Sequence, residues 1–167
     1  VGHDNYQSGY LATQTLLQAG HKKIIFLGWD SPIPNVCYRV DGYRDAMRDW
    51  GIPPERQGVL LAELSMEAGY RLADKLPLGT TAVVLGHHES AKGVLQYFQE
   101  KGVNWPEEIS IVLIGTPEWT QMLRPSLTCV RRPAEEMGRA AATALLEQLG
   151  ESGTVLQERM FSCVLQP

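Results

Sequence analysis

The stretch TTAVVLGHHESAKGVLQYFQEKG, Thr80 to Gly102, contains one complete unit of the fold. Thr80 to Gly86 is an apolar run rich in β-branched residues, which predicts a buried strand. Ala91, Val94, Leu95 and Phe98 then fall at i, i+3, i+4 and i+7, the spacing of one helix face, and Gly102 supplies the stop. The same step recurs on both sides. Upstream, HKKIIFLG (His21 to Gly28) precedes a helix carrying Val36, Val40, Tyr43, Met47 and Trp50 and closed by Gly51. GVLLAE (Gly58 to Glu63) precedes a helix capped by Ser65, with Met66, Tyr70, Ala73 and Leu76 on one side. Downstream, EISIVLIG (Glu108 to Gly115) is a further strand. At the beginning, VGHDN reads as a strand end followed by two candidate caps, Asp4 and Asn5, for a helix over Gly9 to Ala19. Strands that are apolar throughout, and not alternating, belong to a parallel sheet covered on both faces. The expected class is α/β, with a doubly wound, mostly parallel sheet.

Composition narrows the function classes. The chain has 167 residues, 44% of them apolar and 20% charged, enough to bury a sizeable core. No apolar run is long enough to span a membrane and no signal-peptide pattern is present, so a cytoplasmic protein without a membrane partner is expected. Cys37, Cys129 and Cys163 are odd in number and scattered, which suits reduced packing thiols better than disulfides or a zinc site. A net charge of −4 offers no basic face for a phosphate backbone, so these residues are not expected to hold DNA themselves.

Ligands of a doubly wound sheet sit beyond the carboxyl ends of its strands. The residues there are Trp29 and Asp30, Glu63 to Ser65, His87 to Glu89, and Thr116 to Glu118, a polar and aromatic set suited to a small polar ligand. Each member has a competing role, because Asp, Ser and Glu after a strand commonly cap the next helix. Their convergence is the argument. The sequence contains no nucleophile elbow, phosphate-binding loop, paired-cysteine motif or zinc-protease motif, and no cofactor is implied. His87, His88 and Glu89 suggest a metal, but adjacent residues leaving a strand diverge and no third ligand is suitably spaced.

Four blocks taken in order, VGHDNYQSGYLATQTLLQAGHKKIIFLG (1–28), YRVDGYRDAMRDWGI (38–52), AKGVLQYFQEKGVNWPEEISIVLIG (91–115) and RPSLTCVRRPAEEMGRAAATALLEQL (124–149), resemble the effector-binding part of lactose repressor family transcription regulators. The resemblance covers essentially the whole chain. It implies a periplasmic-binding-protein-like fold of two α/β lobes joined by three crossings, with a small effector in the cleft and no enzymatic activity. It places 1–118 in the C-terminal lobe, with the first residues at the inter-lobe crossing. The strand and helix of 119–153 go to the N-terminal lobe, and 154–167 form a strand returning to the C-terminal lobe. The helix-turn-helix that contacts operator DNA is expected upstream of Val1. A homodimer is expected through the helices opening at Ser65 and Ser90 and the loop near Gln121 to Arg124, with Tyr70, Tyr97 and Met122 offering apolar area.

The family's effector-binding Arg is matched by Arg39, where a guanidinium can clamp hydroxyls or a charged oxygen bidentately. Two positions depart from the pattern. His87-His88 stand where the family usually has Asn-Asp, and Pro117 stands where it has an acid. Losing the acid and gaining imidazoles suits a phosphorylated sugar or sugar acid better than a neutral sugar. The expected ligand set is Arg39 and His87, with Trp29, Ser65, Thr116, Glu118 and Asp30 in lesser roles. A solute-binding protein of a transport system shares the fold and is the alternative. A small α/β enzyme using His87 or His88 as acid or base is a more distant one.

Overall fold

The computed structural model describes residues 1–150 and 158–166. Its centre is a six-stranded sheet made of β2 (Ile24–Trp29), β3 (Gly58–Ala62), β4 (Ala82–Leu85), β5 (Ser110–Ile114), β6 (Thr128–Arg131) and β8 (Val164–Gln166). Their spatial order is β3-β2-β4-β5-β6-β8, parallel except for β8, which runs antiparallel to β6. A short parallel pair, β1 (Gly2–His3) and β7 (Met160–Phe161), lies outside this sheet.

Helices α1 (Asn5–Gln18), α2 (Pro34–Asp49), α3 (Met66–Asp74) and α4 (His88–Lys101) cover the sheet. Side chains on a strand point alternately to its two faces, and the core divides accordingly. Ile24, Phe26, Val84, Val112, Ile114 and Val130 meet α1 and α2 through Ala12, Leu16, Tyr43 and Met47. Ile25, Leu27, Val83, Leu85, Ile111, Leu113 and Cys129 meet α3 and α4 through Leu72, Ala91, Val94 and Phe98. Both helix pairs cross at glycines. A Cβ on Gly42 would run into the Tyr6 carbonyl oxygen, and one on Gly93 into that of Met66. Asp4 caps α1 by accepting from the Gln7 N–H at 2.7 Å, and left-handed Gly102 (φ 69°) closes α4. At the amino ends of the strands His21 bridges two of them, with Nδ1 3.0 Å from Thr81 Oγ1 and Nε2 2.9 Å from Ser110 Oγ.

Three expectations are corrected. The face that α3 buries is Ala68, Gly69, Leu72 and Ala73; Met66, at the helix start, is exposed instead. Cys37 is exposed, while Cys129 and Cys163 are buried, so packing explains only two of the three thiols. The strand assigned to the other lobe, β6, is part of the main sheet: Val130 pairs with Ile114, in the sheet that holds Ile25 and Val84. The physical reason is that β5 still has a free edge there, and Cys129 and Val130 fill the two opposite core layers beneath it. The boundary placed after residue 118 is therefore wrong for this strand.

Helix α5 (Ala134–Gly150) behaves differently. Met137, Ala140 and Ala144 are only half-buried, and Leu145, Leu146 and Leu149 are exposed. The expected return strand over Val155 to Leu165 falls partly outside the described residues, at 155–157. Its described part runs as β7 and β8.

Candidate functional site

In this sheet order the chain steps from β2 to β3 on one side and then back to β4 on the other, so the topological switch lies between β2 and β4. In doubly wound sheets the ligand crevice lies at such a point, outside the carboxyl ends of the two strands. Arg39 reaches it from α2. Its Nε donates to Asn5 Oδ1 at 2.9 Å and its Nη1 donates to the Gly86 carbonyl at 2.7 Å, which fixes the guanidinium over the end of β4. Local packing sets this up. A Cβ on Gly9 would collide with the Arg39 carbonyl oxygen, so glycine lets α1 lie against the turn that carries Arg39 and brings Asn5 within reach. Burial, with the like charge of Arg132 adding to it, lowers the Arg39 pKa to about 10. Among the described residues no carboxylate pairs with Arg39.

Three more cationic or ionisable groups surround it. His87 caps α4, its Nδ1 accepting from the Glu89 N–H at 3.3 Å, so the neutral ring carries its proton on Nε2. Its ring stacks on His88 with centroids 4.4 Å apart. Burial, then the charges of His88 and Arg39, lower its pKa to about 4. His3, at the end of β1, is 8% exposed, and its Nε2 has no partner among the described residues. Burial, then Arg132 and Arg39, lower its pKa to about 4 as well. Arg132 follows β6, and one of its terminal nitrogens lies 3.9 Å from where a Cβ on Gly115 would stand, over the end of β5. It too has no ion pair among the described residues. Two nearby carboxylates are engaged elsewhere, Asp4 as the cap of α1 and Glu89 with Lys92 at 2.9 Å, and a third, Glu158, lines a cavity with His3 and is exposed.

Arg39 and His87 are thus brought together, through Gly86. Trp29 ends β2 and is half-buried; Asp30 is exposed, with its N–H donating to the Ala62 carbonyl at 2.7 Å. Ser65 Oγ accepts from the Ala68 N–H at 3.0 Å and caps α3. Thr116 is exposed, as is Glu118, which opens a 3-10 turn. None of these five is hydrogen-bonded to Arg39 or His87 among the described residues. Sequence reasoning missed His3, Arg132 and the role of Asn5 as an Arg39 partner. The one available signal was the Arg131-Arg132 doublet ahead of Pro133. Among the described residues no group of three or more His, Cys, Asp or Glu side chains could hold a metal ion, and no helix is long and apolar enough to cross a membrane.

Comparison with known proteins identifies the fold family. Residues 13–165 match the family model described as a periplasmic binding protein-like domain. The HTH-type transcriptional repressor CytR of Escherichia coli K12 is 30% identical over 165 residues, covering 97% of this chain and 48% of the repressor. A LacI family transcriptional regulator from Enterococcus faecium, solved with bound ribose, superposes with a TM-score of 0.92 at 26% identity, over 99% of this chain and 62% of that one. A sugar-binding LacI family regulator from Escherichia coli, solved with phosphate, has a TM-score of 0.85 at 25% identity, over 99% and 60%. The chain spans about half the length of the curated relatives it matches.

Proposed function

The chain belongs to the periplasmic binding protein-like domain family, and from that premise we propose that it is the effector-sensing part of a DNA-binding transcriptional regulator. A small sugar-like effector lies over the carboxyl ends of β2, β4 and β5, anchored by Arg39 and His87 and walled by Trp29. Thr116, Glu118 and Asp30 border the opening; Ser65, whose oxygen is taken up by the helix cap, serves as a positioning residue. A second lobe closes on the occupied site, and closure changes how a homodimer presents its operator-binding heads. Such a protein works in the cytoplasm, where the operator is. The E. faecium regulator with ribose and the E. coli regulator with phosphate support a small polar ligand of this kind. For the homodimer, the support is the α3–α4 surface, where Tyr70 and Tyr97 pack edge to face at 5.1 Å, and the 77% exposed Met122.

The observation that carries the proposal is Arg39: an arginine positioned by two hydrogen bonds at a topological switch point, with no carboxylate pairing it among the described residues. A buried guanidinium without a counter-charge is costly, and a ligand oxygen offsets that cost. In the full-length protein, operator affinity measured with and without a panel of pentoses and hexoses should respond to at least one sugar or sugar derivative. Arg39→Ala should abolish that response while leaving basal operator binding intact. Loss of a charge-assisted contact weakens binding by roughly thirty- to a hundredfold. A variant that titrates like its parent would remove Arg39 from the site.

A further inference from the structure

The geometry points to an anionic effector: we infer that the crevice binds a small ligand whose phosphate or carboxylate group sits between Arg39 and Arg132, with His3 and His87 completing its hydrogen bonds. The inference rests on the reading of this crevice as the effector site and adds the charge class of the ligand.

Four groups are delivered by four different elements, and Asn5 links two of them, its Nδ2 donating to the His3 carbonyl at 3.3 Å and its Oδ1 accepting from Arg39 Nε at 2.9 Å. Arg39 comes from α2, Arg132 from the segment after β6, His87 from the end of β4, and His3 from β1. Arg132, on the exposed side, adds its like charge to Arg39, and neither guanidinium is paired with a carboxylate among the described residues, so the two positive charges repel. A neutral sugar would leave that repulsion in place. An anion removes it, and guanidiniums match the oxygens of phosphate and carboxylate in fork geometry. His3 supplies the independent observation. It is more than nine-tenths buried, its Nε2 has no partner among the described residues, and it lies within the fields of both arginines. A buried ring nitrogen without a partner is destabilising, and a ligand oxygen that meets it relieves the cost. His87 has its Nδ1 committed to the helix cap, which leaves Nε2–H as a donor. The site therefore offers donors and cations; of the acids around it, Asp4 and Glu89 are occupied, and Glu158, which lines a cavity with His3, is exposed to solvent. That donor set is the complement of an oxyanion.

The test uses the full-length protein and inorganic phosphate as the probe, compared with chloride at equal ionic strength. Phosphate at millimolar concentration should shift the ring resonances of His3 and His87 and raise the melting temperature by several degrees over chloride. Arg132→Gln should remove most of both effects without lowering the melting temperature in chloride. Ribose 5-phosphate and gluconate, titrated beside ribose, separate phosphate from carboxylate as the preferred group; the preferred anionic sugar should bind at least tenfold tighter than ribose, and Arg132→Gln should bring that ratio close to one. Equal responses to phosphate and chloride, or an anion preference that survives Arg132→Gln, would overturn the inference. Ribose binding with no phosphate response would overturn it too, while leaving the effector reading in place. If neither ions nor any sugar elicits a response, both readings fall.

Discussion

Helices α4 and α5 have similar lengths, 14 and 17 residues, and both carry apolar residues at helical spacing, yet they end up in opposite environments. In α4, Ala91, Val94 and Phe98 are at most 2% exposed, sealed against Leu85, Leu113 and their neighbours. In α5, Leu145, Leu146 and Leu149 are 57%, 69% and 77% exposed. A helix of this kind draws most of its stability from packing an apolar face, so three exposed leucines on one helix mark a surface made to be covered. The difference teaches that periodicity specifies a helix but not its partner. The sheet with its four helices is a finished body. We read α5 as part of a second body, the other lobe of the regulator.

Glycine substitutions should break this comparison most sharply. In Gly42→Val or Gly93→Val the new side chain meets a carbonyl oxygen of the facing helix, which cannot swing aside. Each should destabilise the protein by more than about 3 kcal/mol in urea unfolding, with loss of the α1–α2 or α3–α4 contact. In α5, by contrast, a Cβ on Gly138 meets nothing within 4 Å. Gly138→Ala should therefore leave the global transition unchanged and raise helix content, since alanine favours a helix interior over glycine by roughly 1 kcal/mol. Equal costs at Gly42 and Gly138 would mean that α5 is packed as tightly as α2.

Acid should separate the regions next. His3 has a folded pKa of about 4, below the unfolded value of about 6.5. The unfolded chain therefore binds more protons between those values. The stability that comes from keeping this ring neutral is complete above pH 6.5 and is lost as pH falls from 6.5 to 4. His87, lowered to about 4 as well, adds in the same direction, by less because it is more exposed. The His3 contribution is on the order of 3 kcal/mol. Urea midpoints measured at pH 7 and pH 4.5 should show this loss, and His3→Asn should reduce it. In α5 the exposed Glu135–Arg139 pair is worth only a few tenths of a kcal/mol, so the helix itself should respond little.

Much of the sheet region could be read from local signals. Apolar runs gave the five parallel strands, Asp4 and Ser65 act as the caps their positions suggest, and Gly102 stops α4 in the left-handed conformation. What failed was non-local. The run around Cys129 and Val130 reads as a buried strand, but nothing in it states that its neighbour is β5. The site divides in the same way. Arg39 and His87 could be found because they follow or flank strand ends. His3 and Arg132 could not, because they meet only when the first strand and the segment after the last parallel one fold onto the same crevice.

The most direct test of the claim that the sheet and α5 belong to different bodies is hydrogen exchange of α5 amides, compared between this chain alone and the full-length protein. Amides of α1 to α4 should be protected equally in both. Those of Ala140 to Leu149 should exchange at least about a hundredfold faster in the chain alone, as expected for a helix held by few buried contacts. Equal protection of α5 in the two proteins would contradict the account and place the helix with the sheet.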